Sequence, residues 1–275
     1  RKSPQPPVER IQQRVEISGF QQGGRVTLQW RMPARNASEG NTLNISRVDV
    51  YRLIEPVNSP LSLSEEEFSS RSTLISSVPI TDNDFGLKNL TYSDQLEFAG
   101  QPARLRYAIR FVNSSGQKAA FSNFLLIEPT AKIAEAPQNL TVTFSQESID
   151  LNWSAPAQNI DGSTPPNILG YNIYRISPDD EQIPRLLNSS PVTNTRYTDA
   201  FFEFGKNYRY FVRAISIGSA SQPVESIGSE TAEVRPVDTF PPAPPSAITV
   251  AASPGTISIF FATNTEKDID GDRIY

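Results

Sequence analysis

The amino-acid sequence predicts an all-β chain made of tandem sandwich modules, because strand patterns repeat along it at matched spacing. Three stretches alternate apolar and other residues with period two and end on an aromatic residue, as a strand with one buried face does. They are residues 26–30, 149–153 and 257–261. The same 21-residue step separates Trp30 from Tyr51 and Trp153 from Tyr174, although the loops between them differ. Equal spacing across unlike loops indicates one framework used more than once.

Two further patterns repeat in the same order. A Tyr-x-Asp motif begins at Tyr92 and again at Tyr197. Residues 105–111 and 208–214 both alternate over seven residues, which predicts a long central strand in each copy. Residues 271–275 resemble a strand pattern of the second copy, so we expect the chain to end in a truncated third copy.

The second copy carries a characteristic set of residues. They are Pro137, Trp153, Tyr171, Ile173, Tyr197, Asp199, Tyr208, Tyr210, Val212 and Ala214. Their order resembles the fibronectin type III family, whose immunoglobulin-like sandwich has about seven strands in two sheets. The resemblance implies that Trp153 and Tyr171 lie in the core. It also implies that Tyr208 is a tyrosine corner, a hydroxyl bonded back to the backbone where the chain crosses between sheets.

The first copy departs from this pattern in two ways. Leu105 stands where the corner tyrosine is expected, and Val48 stands in place of the tyrosine equivalent to Tyr171. The step from Tyr51 to Tyr107 is also 20 residues longer than the step from Tyr174 to Tyr210, which indicates an insertion in the first copy. Within that insertion Ser64 and Glu67 have the spacing of a capping box, so we predict a short helix starting there.

These patterns divide the chain into four parts. Residues 1–9 are rich in proline and are expected to form an extended tether. Residues 10–131 are predicted to be the first fibronectin type III-like domain, with its insertion near 54–77, and residues 132–237 the second. Residues 238–275 are expected to be a proline-rich linker followed by the N-terminal part of the truncated third domain.

Composition excludes several kinds of chemistry. The chain has no cysteine and no histidine, which excludes thiol–imidazole and Ser–His–Asp catalysis and thiolate or imidazole zinc sites. Its net charge is −5, with lysine and arginine scattered among acids, so we expect no nucleic-acid partner. No run of 18 apolar residues occurs, so no transmembrane segment is expected. We found no catalytic constellation and predict that the chain is not an enzyme.

One acidic cluster offers the ligand types that calcium prefers. Asp268, Asp270 and Asp272 alternate around Gly271, and such carboxylates can converge on one calcium ion. The alternative is an acidic turn between two strands, where Asp-Gly is favoured in any case. Calcium is the one cofactor that the sequence suggests.

A tyrosine flanked by two arginines is predicted on the outer face of each module. By strand alternation, the outward-facing residues are Tyr51, Arg106 and Arg110 in the first copy and Tyr174, Arg209 and Arg213 in the second. The functional interpretation is a repeated recognition face for an acidic protein or a glycan. The alternative is that cross-strand pairs and cation–π contacts stabilise the sheet surface.

The function that these patterns predict is that of a non-enzymatic extracytoplasmic binding, scaffold or spacer module. Residues 1–7 are similar to the proline-rich tether that follows the lipidated cysteine of bacterial cell-envelope lipoproteins, which would place a lipid anchor upstream of Arg1. One alternative is a set of accessory modules of a secreted polysaccharide-degrading enzyme. Another is a fragment of a eukaryotic receptor ectodomain, in which Asn-x-Ser/Thr sequons would carry glycans. Seven sequons occur, at Asn36, Asn44, Asn89, Asn113, Asn139, Asn152 and Asn188.

Overall fold

The computed structural model describes residues 14–38, 44–97, 102–180, 183–239, 241, 243–262, 264, 271 and 273. Seven strands form the first module. They are β1 (Ile17–Gln22), β2 (Arg25–Arg31), β3 (Ile45–Pro56), β4 (Thr73–Pro79), β5 (Asn89–Gln95), β6 (Ala103–Asn113) and β7 (Leu125–Ile127). One sheet has the order β1-β2-β5 and the other the order β4-β3-β6-β7. This is the fibronectin type III arrangement of strands, and it confirms the predicted sandwich.

The core of the first module follows the alternation of its strands. Val26, Leu28 and Trp30 on β2 are all buried, and they face Tyr107 and Ile109 on β6. Every second residue of a strand points to the same side, so one face of each sheet supplies the apolar interior.

The predicted helix is present as α1 (Glu65–Arg71), inside the insertion. The Ser64 hydroxyl accepts a hydrogen bond from the Glu67 backbone N–H, and the Glu67 carboxylate accepts one from the Ser64 backbone N–H. Phe68 is fully buried against Phe121 and Phe124, on the outer face of the β3–β6 sheet. The insertion therefore adds a second, smaller core outside the sandwich.

Replacing Ser64 by alanine should destabilise the first module by about 1 kcal/mol, because α1 would lose its N-terminal cap. Urea unfolding followed by fluorescence should show this shift. Ser70→Ala is the control, since its hydroxyl bonds only a carbonyl within the helix. Equal losses in the two variants would contradict the role assigned to the cap.

Eight strands form the second module. They are β8 (Gln138–Phe144), β9 (Ile149–Ser154), β10 (Gly170–Ile176), β11 (Arg185–Leu186), β12 (Arg196–Asp199), β13 (Tyr208–Ile217), β14 (Pro223–Glu225) and β15 (Ala232–Val234). Strands β8, β9 and β12 make one sheet, and β11, β10 and β13 belong to the other. Both β14 and β15 pair with β13, so the last strand of the fold is split in two.

The residues that carry the family resemblance take the expected places in the second module. Trp153 and Tyr171 are buried and meet edge to face, with ring centroids 5.3 Å apart. The Tyr208 hydroxyl accepts a hydrogen bond from the Glu203 backbone N–H at 2.9 Å, as a tyrosine corner does. In the first module Leu105 occupies the corresponding position and is buried.

A short strand pairing joins the two modules. The end of β1 lies parallel to the end of β14, with Gln22 opposite Glu225. The Gly23 backbone N–H donates to the Glu225 carbonyl at 2.8 Å. One sheet thus continues from the second module into the first through the order β11-β10-β13-β14-β1-β2-β5.

A hairpin follows the second module. It consists of β16 (Ser246–Ser253) and β17 (Thr256–Ala262), which includes the strand predicted at 257–261. Ile248, Val250, Ile257 and Phe260 on it are all exposed. Most of residues 263–275 lies outside the described residues, and with it most of the strand pattern predicted at 271–275.

Candidate functional site

The outer face of the β10–β13 sheet carries the tyrosine–arginine arrangement predicted for the second module. Tyr174 on β10 lies opposite Phe211 on β13, and the two rings stack with centroids 5.0 Å apart. The Arg213 guanidinium lies 4.7 Å from the centre of the Tyr174 ring and 5.1 Å from that of Phe211. Arg209 lies further along β13, opposite Glu233 on β15. We call Tyr174, Phe211 and Arg213 the aromatic face of the second module.

Glu225 on β14 ties this aromatic face together. Its carboxylate accepts hydrogen bonds from the Tyr174 hydroxyl at 2.6 Å, the Asn172 amide at 2.5 Å and Arg213 Nη1 at 2.8 Å. Burial alone would raise the pKa of Glu225, but these bonds outweigh it and hold the pKa below its usual value. Burial and the bond to Glu225 raise the pKa of Tyr174 to about 12.

The same residues reach across to the first module. The Gln22 amide oxygen, assigned so that it faces the guanidinium, accepts from Arg213 Nη1 at 2.9 Å. The backbone of Glu225 is also the group that pairs with Gln22 and Gly23. The aromatic face of the second module is therefore continuous with the strand pairing between modules.

The equivalent pair in the first module has the same geometry but is covered. The Arg110 guanidinium lies 4.7 Å from the Tyr51 ring, and Arg110 Nη2 donates to the Tyr51 hydroxyl at 2.6 Å. Phe121 packs edge to face on Tyr51, and Phe68 of α1 packs on Phe121. Tyr51 is buried as a result. The insertion of the first module occupies the face that the sequence predicts as a binding surface.

Arg106 was predicted to point outward as part of a recognition face, and it does leave the sandwich core, but it is not available to a partner. Its side chain is buried, and Nη2 donates to Glu55 Oε1 at 2.9 Å and to the Pro60 carbonyl at 3.0 Å. Nη1 donates to the Leu61 carbonyl at 2.9 Å. Alternation correctly places Arg106 outside the sandwich core, but residues of the insertion fold over it. Arg104 on the same strand is buried beside it and also donates to Glu55, at 2.8 Å.

A triad of arginine, aspartate and tyrosine, with the acid and the tyrosine buried, recurs in both modules, and sequence reasoning did not assign it. In the second module Arg175 Nη1 donates to Asp199 Oδ2 at 2.8 Å, and the Tyr210 hydroxyl donates to the same oxygen at 2.9 Å. The first module repeats this at 2.7 and 2.6 Å, with Arg52, Asp94 and Tyr107. Burial and the aspartate raise the pKa of both tyrosines far above the usual value, so their hydroxyls stay protonated.

The sequence did hold a signal for this triad. Its acids are the aspartates of the repeated Tyr-x-Asp motif, and its arginines directly follow the repeated tyrosines Tyr51 and Tyr174. Neighbouring residues of a strand point to opposite sides of the sheet. Arg52 and Arg175 each follow an outward-facing tyrosine, so both arginines point inward. An inward-facing arginine needs a carboxylate partner, and the motif supplies one.

The calcium hypothesis is not addressed by these contacts. Asp268, Asp270 and Asp272 lie outside the described residues. Within the described ranges, no group of three or more His, Cys, Asp or Glu side chains is placed to hold a metal ion.

Comparisons with known proteins concern the fold. No protein-family model matches the chain. A Fn3-like protein from Clostridium thermocellum is 23% identical over 40% of this chain and 99% of its own, with a TM-score of 0.29. The FN1–FN3 domains of chicken CNTN1 are 16% identical over 81% of this chain and 66% of theirs, with a TM-score of 0.33. A myokine structure is 22% identical over 38% and 98%, with a TM-score of 0.30.

The strand order of the two modules, rather than these likenesses, carries the assignment of the fold. Both modules have a three-stranded sheet packed on a sheet built around the long β3–β6 or β10–β13 pair. The fold is of the fibronectin type III kind. Among the described residues, no helix has the length and apolar character needed to cross a membrane.

Proposed function

We propose that this chain is a non-enzymatic scaffold or spacer of an extracytoplasmic protein, in which two sandwich modules are held in a fixed relation to each other. The observation that carries the proposal is the sheet that continues across the module junction through Gln22 and Glu225. A spacer must hold what it carries at a defined distance, and a strand pairing at the joint resists bending more than a free linker does.

Several side chains support a stiff joint. The Gln21 amide donates to the carbonyl of Thr130, at the end of the first module, at 2.9 Å and accepts from the Thr130 N–H at 3.1 Å. The turn formed by Gly23 and Gly24 lies against Ile227 and Ile160 of the second module. A Cβ added at Gly23 would come within 3.1 Å of the Ile227 side chain, so the close approach uses the lack of a side chain there.

Replacing Gly23 by valine should loosen the joint without unfolding either module. In the native chain we expect ¹⁵N relaxation to give both modules one rotational correlation time. In Gly23→Val the two values should become shorter and different. The matched control is Gly116→Val, because Gly116 also has a positive φ but has open space around its Cβ position.

If Gly116→Val loosened the modules as much, turn strain rather than the junction contact would explain the effect. If the two modules of Gly23→Val kept one long rotational correlation time, the contact at Gly23 would not be what holds the joint.

The exposed surface for a partner protein or glycan is proposed to lie on the second module. The insertion covers the outer face of the first module, whereas Tyr174, Arg209 and Arg213 remain partly exposed. Arg213 and Tyr174 already bind Glu225, so a partner would meet a preformed surface of satisfied charges. Such a surface suits weak, shape-based contact better than capture of a strong anion.

A bacterial cell surface or periplasm is the proposed location, with a lipid anchor upstream of Arg1. The chain contains no cysteine, which fits the part of a lipoprotein that follows its lipidated cysteine. Two sequons argue against a eukaryotic receptor ectodomain. Asn113 and Asn188 are buried, and their amides donate to Gln117 and to the Ser190 carbonyl at 2.8 Å each. A glycan on either one would displace these contacts.

The location can be tested on intact cells of the source organism. We expect the native protein to be cleaved by added protease, or labelled by a membrane-impermeant reagent, only from outside the cytoplasmic membrane. Recovery of the protein solely from the cytoplasm would overturn the proposed location. It would not bear on the contacts between the two modules.

A further inference from the structure

The two modules differ at one end of the sandwich, where a single position is tyrosine in one and leucine in the other. Tyr208 begins β13 and lies opposite Val234 on β15. Leu105 occupies the same place on β6, opposite Ile127 on β7. Two residues further along, both strands carry the tyrosine of the triad, which is Tyr107 on β6 and Tyr210 on β13. The two ends of the sandwich can therefore be compared residue by residue.

In the second module the ring of Tyr208 covers the triad. The Arg175 guanidinium lies 5.3 Å from the ring centre, within the range of a cation–π contact. Arg175 also donates to the Phe201 carbonyl. Its side chain is only 9% exposed.

Among the described residues of the first module, no ring lies over the equivalent arginine, Arg52. The Arg52 side chain is 25% exposed and lines an open cleft of about 550 Å³. This volume is within the usual range of small-ligand sites. Its lining also includes Ile54, Asp94, Leu96, Glu97 and Leu105.

The apolar walls of the cleft arise from unequal strand lengths. Strands β3 and β6 stay paired from Ile54 opposite Leu105 to Pro56 opposite Ala103. On the facing sheet β5 ends at Gln95, so no strand of the described residues lies opposite the inner side of this overhang. Ile54 is 60% exposed as a consequence. An apolar surface of this kind gains free energy when a ligand covers it.

Charge decides which ligand suits the cleft. Among the described residues, its lining has one guanidinium, on Arg52, and two carboxylates, on Asp94 and Glu97. Asp94 already accepts hydrogen bonds from Arg52 and Tyr107. An anion would meet a net negative lining, whereas a neutral ring could lie over the exposed guanidinium without losing hydration of its own.

We propose that this cleft binds a neutral aromatic side chain of a partner polypeptide. The ring would lie over Arg52 as Tyr208 lies over Arg175, with its edges against Ile54 and Leu105. The second module provides the model for the bound state within the same chain. The inference is independent of the cellular location and of the joint between the modules.

The test uses N-acetyl-L-tyrosinamide as the probe and the full chain. We expect saturable ¹H–¹⁵N shift changes in the millimolar range at the amides of Arg52, Leu96 and Leu105. N-acetyl-L-leucinamide should bind about two- to fivefold more weakly, since it lacks the ring that faces the guanidinium.

Two variants of the first module give the decisive comparison. Leu105→Tyr supplies the missing ring from the chain itself, and we expect it to abolish binding while the melting temperature is kept or raised. Ile54→Asn changes an exposed wall residue, so it should fold normally and weaken binding severalfold. The proposal would be overturned if folded Leu105→Tyr bound the probe with unchanged affinity. It would also be overturned if the saturable shift changes lay elsewhere on the chain and not at the amides of the cleft.

The reciprocal variant extends the test to the second module. Tyr208→Leu opens the equivalent space over Arg175, and the probe should then raise its melting temperature more than that of the native chain. No added stabilisation of Tyr208→Leu by the probe would contradict the claim that a ring over this arginine is the favoured occupant.

Discussion

Replacing Glu55 by glutamine should destabilise the first module by about 3–5 kcal/mol, which is the loss typical of a buried ion pair that loses one partner. The Glu55 side chain is 1% exposed and its Oε1 accepts from both Arg104 and Arg106, which are also buried. Glutamine could still accept a hydrogen bond, but it would leave two guanidiniums without a counter-charge. The neutral glutamine oxygen and carbonyl groups of the insertion would then be their remaining acceptors.

The two tryptophans allow this loss to be assigned to one module. Trp30 lies in the core of the first module and Trp153 in that of the second, and the chain has no other tryptophan. Urea unfolding in a Trp153→Phe background therefore follows the first module alone. Glu66→Gln, on the exposed side of α1, is the control and should change the free energy of unfolding by less than about 0.5 kcal/mol.

A loss below about 1 kcal/mol in Glu55→Gln would mean that solvent or neighbouring carbonyl groups stabilise the charges of the two arginines without the carboxylate. A matching loss reported by Trp153, in a second background that carries Trp30→Phe instead, would mean that the two modules unfold as one unit. The first outcome would contradict the role assigned to Glu55.

Asp199→Asn is expected to destabilise the second module by about 3 kcal/mol, since it leaves the Arg175 charge buried without its partner. The first module supplies a matched comparison in Asp94→Asn. Arg52 is more exposed than Arg175, so water can solvate it once its counter-charge is lost. The loss in Asp94→Asn should therefore be smaller, at about 1–2 kcal/mol.

These two variants are best compared by unfolding each in the background where only its own module has a tryptophan. The expected order is a larger shift for Asp199→Asn than for Asp94→Asn. The reverse order would show that exposure of the arginine does not govern the energy of the triad. It would also weaken the claim that the cleft of the first module leaves Arg52 accessible.

Much of the fold could be predicted from the sequence, because strand alternation and repeat spacing are local properties. The tyrosine corner at Tyr208 and the capped helix at Ser64 both follow from short motifs whose geometry the backbone determines. Alternation also placed Arg110 and Arg213 over the repeated tyrosines.

The parts that could not be predicted depend on contacts between distant segments. Alternation says which side of a strand Arg106 occupies, but not that residues of the insertion cover that side. The pairing of Gln22 with Glu225 joins residues of two modules that share no local pattern. The cleft beside Arg52 arises from a difference in strand length that becomes clear only once both sheets are in place.

The central claim is that the modules form one stiff unit, and a distance distribution across the junction tests it most directly. The chain has no cysteine, so Thr91→Cys on β5 and Thr143→Cys on β8 would carry the only spin labels, both at exposed sites. We expect double electron–electron resonance to give a single narrow distance peak for this pair, and a broader one once Gly23→Val is added. A broad distribution in the chain with native Gly23 would contradict the account, because it would mean that the joint bends freely in solution.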